Sequence, residues 1–257
     1  NVLTQDKVRS SVFEAFCPVS LYLISIEEKL SRVYLQENLF SHIIGQIDND
    51  NNGISGIEKF FDYELKTRKE PLVLTVDTDI QFLIREELLK FQDIFKNKGS
   101  AAILMNVNSG NIISMISLPD FNLNKREDIK DVNFINRATK GVYELGSVFK
   151  TFTVAAGLNE GLIKTDTKFL NLEKEIYCAG FPIREYDQNL STDLSVEEIL
   201  IKSGNVGSVK IGQKLGKEKL KNFLYDTGVL GEIDFDIEEV GKPQSVTWGK
   251  CKLATAS

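Results

Sequence analysis

The chain has 257 residues, 42% of them hydrophobic, enough for one large domain or two unequal ones around a buried core. A net charge of −6 and the lack of any Lys/Arg-rich run exclude the basic face that phosphate neutralisation needs, so nucleic acid is not an expected partner. Three widely spaced cysteines, Cys17, Cys178 and Cys251, show no C-x-x-C pairing and read as buried small hydrophobes, while a single histidine, His42, cannot build a multi-histidine metal site.

Near the start, Val12 to Ile26 is the most apolar stretch, but Glu14 and Pro18 interrupt it and it falls short of the roughly 20 apolar residues that a membrane span requires. With no initiator Met and no signal-peptide pattern, the sequence is expected to be a fragment of a longer protein. Up to about Lys69 the text is mixed and loop-rich, with a turn-forming Asp/Asn/Gly cluster at Asp48 to Gly53. A second domain is expected to begin near Pro71. Thr78 followed by Gln81 fits a capping box opening a helix, with Ile80, Phe82, Leu83, Ile84, Leu88, Phe91 and Phe95 facing inward. Ala101 to Val107 and Asn111 to Leu118 are strand-like runs joined by Asn108-Ser109-Gly110-Asn111, which is hairpin chemistry. After a polar connection from Pro119 to about Lys140, a helix is expected from near Ser147, apolar nearly all round and therefore in the core, with Gly161 as its stop. Ser195-Val-Glu-Glu is a further capping box, leading into Ile199, Leu200 and Ile201 and halting at Ser203-Gly204-Asn205; helical segments follow at about Val206 to Leu215 and Leu220 to Thr227. These elements suggest helices around an antiparallel sheet, with further strands not present.

Two short motifs carry chemistry. Ser147-Val148-Phe149-Lys150 at a helix start places a hydroxyl and an amine one turn apart on one face, an arrangement that suits a nucleophile and its base. The bland reading is an N-cap serine with a snorkelling lysine; against it, a lysine on the most apolar helix of the chain is costly unless used. The pattern S-x-N occurs twice. Ser109-Gly110-Asn111 is better explained as a hairpin turn. Ser203-Gly204-Asn205, between two helical segments, is also explicable as a turn, but a second hydroxyl near Lys150 would give a proton relay, and a carboxamide can both donate to and accept from a peptide.

The stretch Asn136 to Lys150, with Tyr143-Glu144-Leu145-Gly146-Ser147-Val148-Phe149-Lys150 at its end, resembles the active-site segment of class B penicillin-binding proteins, whose superfamily signature is S-x-x-K, S-D-N and K-T-G. Upstream, Arg32-Val33-Tyr34, His42-Ile43-Ile44-Gly45 and Gly53-Ile54-Ser55-Gly56-Ile57-Glu58 are similar to the pedestal motifs that precede the catalytic domain in that family. The resemblance implies an α+β penicillin-binding/serine-transpeptidase fold, incomplete, with residues 1–70 part of a pedestal domain and residues 71–257 the first part of the transpeptidase domain. It implies Ser147 as nucleophile, Lys150 as base, Ser203 as proton shuttle and Asn205 as a contact to the substrate backbone. It further implies D-Ala-D-Ala stem peptides as substrate, β-lactams as inhibitors and no metal or organic cofactor. Also implied are a membrane glycosyltransferase and divisome proteins as partners, and a periplasmic location anchored by an N-terminal helix that this chain lacks. The wording from Tyr143 to Lys150 looks closer to the septal type than to the elongation type. Two departures stand out: no Lys-Thr-Gly strand follows, so the fragment alone is expected to be catalytically poor, and Leu35 stands where the family's Arg-x-Tyr motif continues with Pro. Lys202-Ser203-Gly204 is rejected as the third motif because it follows a helical segment. A β-lactamase, a β-lactam sensor or a non-catalytic scaffold of the same fold are the competing readings.

Overall fold

The computed structural model describes residues 3–6, 31–125, 131–178, 180–237, 240 and 241; the apolar stretch Val12 to Ile26, Cys17, Cys251 and the final Ala254 to Ser257 lie outside them. The elements run β1 (Leu3–Asp6), β2 (Ser31–Tyr34), α1 (Ser41–Ile44), α2 (Gly56–Phe60), α3 (Asp62–Thr67), α4 (Thr78–Phe95), β3 (Ser100–Met105), β4 (Ile112–Leu118), α5 (Lys150–Asn159), β5 (Lys168–Phe169), β6 (Glu175–Cys178), β7 (Phe181–Arg184), β8 (Leu194–Ser195), α6 (Val196–Ile201), α7 (Asn205–Leu215) and α8 (Lys217–Asp226). They fall into two compact units, residues 1–142 with 234–241 and residues 143–233 with 242–257. No helix among the described residues is long and apolar enough to cross a membrane.

In the first unit, β1 pairs antiparallel with β2, and β3 with β4. The β3–β4 connection is the hairpin that the Asn/Ser/Gly content requires: the Asn106 side chain accepts the main-chain N–H groups of Asn108 and Ser109, and Gly110 takes φ +76°. Ser109-Gly110-Asn111 is therefore a turn in this unit. A core of Tyr34, Phe40, Ile43, Ile44, Ile57, Met115, Phe121, Leu123 and Ile237 ties β2, α1, α2 and β4 together. The pedestal-like motifs interlock here. Glu58, 1% exposed, accepts from Arg32 and from the Tyr34 hydroxyl (3.3 Å), and burial raises its pKa against the lowering effect of Arg32. A side chain on Gly45 would meet the Ser55 carbonyl oxygen at 2.0 Å, and one on Gly53 the Glu58 carbonyl oxygen at 1.9 Å, so both positions demand glycine for close backbone approach.

Helix α4 departs from its expected form in two ways. Its cap is Asp77, whose side chain accepts from the Ile80 N–H (3.0 Å), and not Thr78. Gln81, the supposed capping-box partner, is instead 1% exposed and brackets two segments, donating to the Leu39 and Met115 carbonyls while accepting from Ser114 Oγ and Met115 N–H. Of the residues expected to face inward, Phe82, Leu83, Phe91 and Phe95 are exposed, the last at 70%. Among the described residues the sheet beside α4 is two strands wide, too narrow to cover the apolar stripe of an 18-residue helix.

The second unit is built on α5, α6, α7 and α8 with two small antiparallel pairs, β5–β8 and β6–β7. Val154, Ile163, Leu190, Leu194, Val196, Ile199, Val206 and Ile211 form one core cluster, and Ala156, Leu215, Leu220 and Leu224 another. The capping box at Ser195 is present in full, with Glu198 N–H to Ser195 Oγ (3.1 Å) and Ser195 N–H to Glu198 Oε2 (2.8 Å). The helix expected from Ser147 begins as a 3-10 turn, Gly146–Phe149, and continues as α5. It is not buried all round: Val148 is 63% exposed and Leu158 also faces out, while Lys150, Thr153, Val154, Ala156 and Gly157 form the inner face. Cys178, half-buried at the end of β6, is disulfide-bonded, which corrects its reading as a core hydrophobe. Parity and local spacing cannot reveal a partner distant in sequence.

Candidate active site

The site lies within the second unit, on the 3-10 turn and α5 and on the connection between α6 and α7. In a 3-10 turn residues three apart eclipse, so Ser147 and Lys150 share one side of the helix start. Ser147 is exposed and Lys150 is 6% exposed. Among the described residues, no hydrogen bond joins them; Lys150 instead points into the α6–α7 connection. Its Nζ donates to the Ser203 carbonyl (2.7 Å), to Ser203 Oγ (3.1 Å) and to Asn205 Oδ1 (2.5 Å). Three of the four residues singled out by motif thus converge on one amine, with Ser147 one helical turn away.

The α6–α7 connection can make this contact because of how α6 ends. Ser203 N–H bonds to the Leu200 carbonyl (3.1 Å) and Gly204 N–H to the Ile199 carbonyl (2.8 Å), the paired bonds of a Schellman stop. The left-handed position of that stop, φ +55°, is held by Ser203, where glycine is usual and a side chain costs roughly 1–2 kcal/mol. The turn reading of Ser203-Gly204-Asn205 is therefore correct and incomplete: the strained residue is the one whose carbonyl and hydroxyl both face the amine.

Asn205 opens α7. Its Nδ2 donates to the Arg184 carbonyl (2.7 Å), which fixes the carboxamide with its oxygen toward Lys150. The adjacent residue, Glu185, is 6% exposed and was not signalled by any motif. Its Oε2 accepts from Asn205 N–H (2.6 Å) and its Oε1 from Val206 N–H (2.8 Å). A lone carboxylate twenty residues before the turn has no local pattern that could have marked it.

Burial pushes the Lys150 pKa below the usual lysine value, and the negative charge of Glu185 acts in the opposite direction. A lysine so placed can be neutral closer to physiological pH. In that form it keeps two N–H groups for the Ser203 carbonyl and Asn205 Oδ1, with its lone pair available to a hydroxyl proton. Among the described residues, no group of three or more His, Cys, Asp or Glu side chains is arranged to hold a metal ion.

Residues 100–257, more than half of the chain, match the family described as the penicillin binding protein transpeptidase domain. The chain is 29% identical over 240 residues to a probable peptidoglycan D,D-transpeptidase, FtsI, of Caulobacter vibrioides, covering 91% of this chain and 40% of that protein. It is 28% identical over 232 residues to the probable peptidoglycan D,D-transpeptidase PenA of Neisseria gonorrhoeae, covering 79% of this chain and 39% of that protein. Its fold is similar to that of penicillin-binding protein 3 of Mycobacterium tuberculosis, a structure complexed with aztreonam, with a TM-score of 0.78 and 20% identity over 93% of this chain and 52% of that one. The chain thus spans about 40% of the length of these curated relatives. With the signature serine and lysine inside the matched region, and the α+β fold the same, the chain belongs to the penicillin-binding protein transpeptidase family.

Proposed function

We propose that this chain carries the acylating half of a peptidoglycan D,D-transpeptidase, with Ser147 as nucleophile. The observation that carries this reading is the buried Lys150 amine, held by Ser203 and Asn205 beside the exposed Ser147 hydroxyl. In the reaction, neutral Lys150 takes the Ser147 proton as Oγ attacks the carbonyl carbon of the penultimate D-Ala. Collapse of the tetrahedral intermediate breaks the peptide C–N bond, and the departing D-Ala amine receives a proton relayed from Lys150 through Ser203 Oγ. An amine from a neighbouring strand then attacks the ester, its proton passes through the Lys150–Ser203 pair to Ser147 Oγ as the C–O bond breaks, and the serine hydroxyl and neutral lysine are restored. Catalytic hydrogen bonds are often long before substrate binds, and the Ser147–Lys150 contact is expected to form with the substrate in place. A β-lactam opens along the same path, but its leaving group stays tethered and the adduct persists.

Supporting a role in division are the wording from Tyr143 to Lys150 and the relatedness to FtsI of Caulobacter vibrioides. On this reading residues 1–70 belong to a pedestal that meets a membrane glycosyltransferase and divisome proteins, and the full-length protein works on the periplasmic side of the inner membrane. The test is intact-mass spectrometry of the full-length protein after incubation with penicillin, alongside Ser147→Ala. One drug mass on the parent and none on the variant is expected. A folded, full-length parent that takes no drug would overturn the reading and favour a non-catalytic scaffold.

A further inference from the structure

We propose that Glu185 is a positioning residue for acylation: its carboxylate sets the start of α7 and thereby places Ser203 and Asn205 against Lys150. This role rests on the reading of Ser147 and Lys150 as the acylating pair. A carboxylate that is 6% exposed is costly unless its oxygens are satisfied, and here each oxygen is taken by a main-chain amide of the first turn of α7, at 2.6 and 2.8 Å. Helix α7 has no capping side chain of its own, because Gly204 occupies that position. Capping alone does not require a distant carboxylate. A side chain at Gly204 would make only ordinary contacts, the nearest at 3.6 Å, so a local serine or aspartate would fit. What Glu185 adds is a tie between the end of β7 and the catalytic turn. Arg184 and Glu185, successive residues, grip Asn205 by its side-chain amide and its main-chain N–H, so the hairpin β6–β7 dictates where Asn205 Oδ1 points.

Charge acts alongside this geometry. Ser203 and Asn205 face Lys150 from the α6–α7 connection and Glu185 from the end of β7; among the described residues Glu185 is the ionised group that acts on the lysine. Glu185 therefore holds the lysine's proton affinity up against burial, while the amides of α7 hold the carboxylate in place. A residue that served only to build the helix would affect the amount of competent site and leave the pH response alone.

The experiment is the pH dependence of acylation of the full-length protein by a chromogenic cephalosporin, with thermal unfolding of each variant. In Glu185→Gln a single oxygen can accept one of the two amides, and the NH2 is set against the other, so the plateau rate is expected to fall on the order of tenfold or more. The acid limb, where Lys150 is protonated, should move to lower pH because the lysine has lost its anion. Glu185→Asp keeps the charge on a shorter arm; its plateau should fall while its limb stays put. An unchanged Glu185→Gln profile on a wild type that is acylated would overturn the positioning role and leave Ser147 as nucleophile. So would a lowered plateau with an unmoved limb. If Glu185→Gln does not unfold cooperatively, Glu185→Asp decides: a wild-type plateau overturns the role, and a lower plateau with a wild-type limb supports it. A wild type that takes no drug removes both readings together.

Discussion

A lysine that is 6% exposed is an unusual occupant of a helix inner face, and its energetics can be followed by pH. Lys150 has its folded-state pKa depressed by burial below the usual lysine value of 10.5. At pH values below both, the lysine is protonated folded and unfolded, and the burial penalty is present in full. As pH rises through the folded pKa toward 10.5 the folded state releases its proton first, the unfolded state binds more protons, and stability rises. Lys150→Met removes this titration while keeping a long side chain in the space. Relative to that variant, the wild type should therefore gain urea midpoint across the pH window that ends at the usual lysine value of 10.5. A constant difference across that window would mean that the lysine is not desolvated in solution. The same variant, in the full-length protein, should lose acylation on the order of a hundredfold or more, as expected when a general base is deleted. Ser203 presents the complementary case: the sequence shows a serine in a turn-like triplet, and only the backbone shows that it holds the left-handed position with its hydroxyl toward the amine.

At the scale of elements, helix ends separate what local pattern can tell from what it cannot. Ser195 and Glu198 form their capping box because the whole motif is contained in four residues, and the hairpin at Asn106 to Asn111 is likewise self-contained. At α4 two adjacent residues, Asp77 and Thr78, both have capping chemistry, and the choice is made by tertiary packing that draws Gln81 into the core. Asp77→Ala should therefore cost about 1 kcal/mol of stability and Thr78→Ala only a few tenths. Gln81→Leu leaves Met115 N–H, Ser114 Oγ and two carbonyls without their partner, and should cost about 3 kcal/mol, the sum of more than one buried unsatisfied group. Urea unfolding of the three variants tests the order, and a Thr78 effect larger than that of Asp77 would contradict the cap seen here. Glu185 marks the limit of such reading. Its partners are twenty residues away, its neighbours form no motif, and its function arises only when β7 is folded beside α7.

On the scale of the whole chain, the expected elements are present in order while part of the expected burial is not, and the largest discrepancy is on α4. Periodicity assigns Phe82, Leu83, Phe91 and Phe95 to an interior because an apolar stripe at helical spacing normally meets a partner. In the structure Phe91 and Phe95 stack on each other at 6.0 Å on the outside of α4, with Ile94 beside them 68% exposed, and on β3 Ile103 and Met105 are about half exposed. Exposed side chains of this size bind apolar ligands or other apolar surfaces. The chain of 257 residues should accordingly bind the dye ANS in its native state, well below the onset of thermal unfolding. Because these side chains contribute little to the core of the unit, Phe91→Glu with Phe95→Glu should weaken that binding several-fold and shift the urea midpoint little, exposed substitutions being worth about 0.5 kcal/mol or less. A double variant that unfolds at much lower urea would show that the two rings are buried in solution, and the inward-facing pattern of the sequence would then be the better description of α4. Dye fluorescence that persists undiminished on a stable double variant would place the apolar surface elsewhere on the chain.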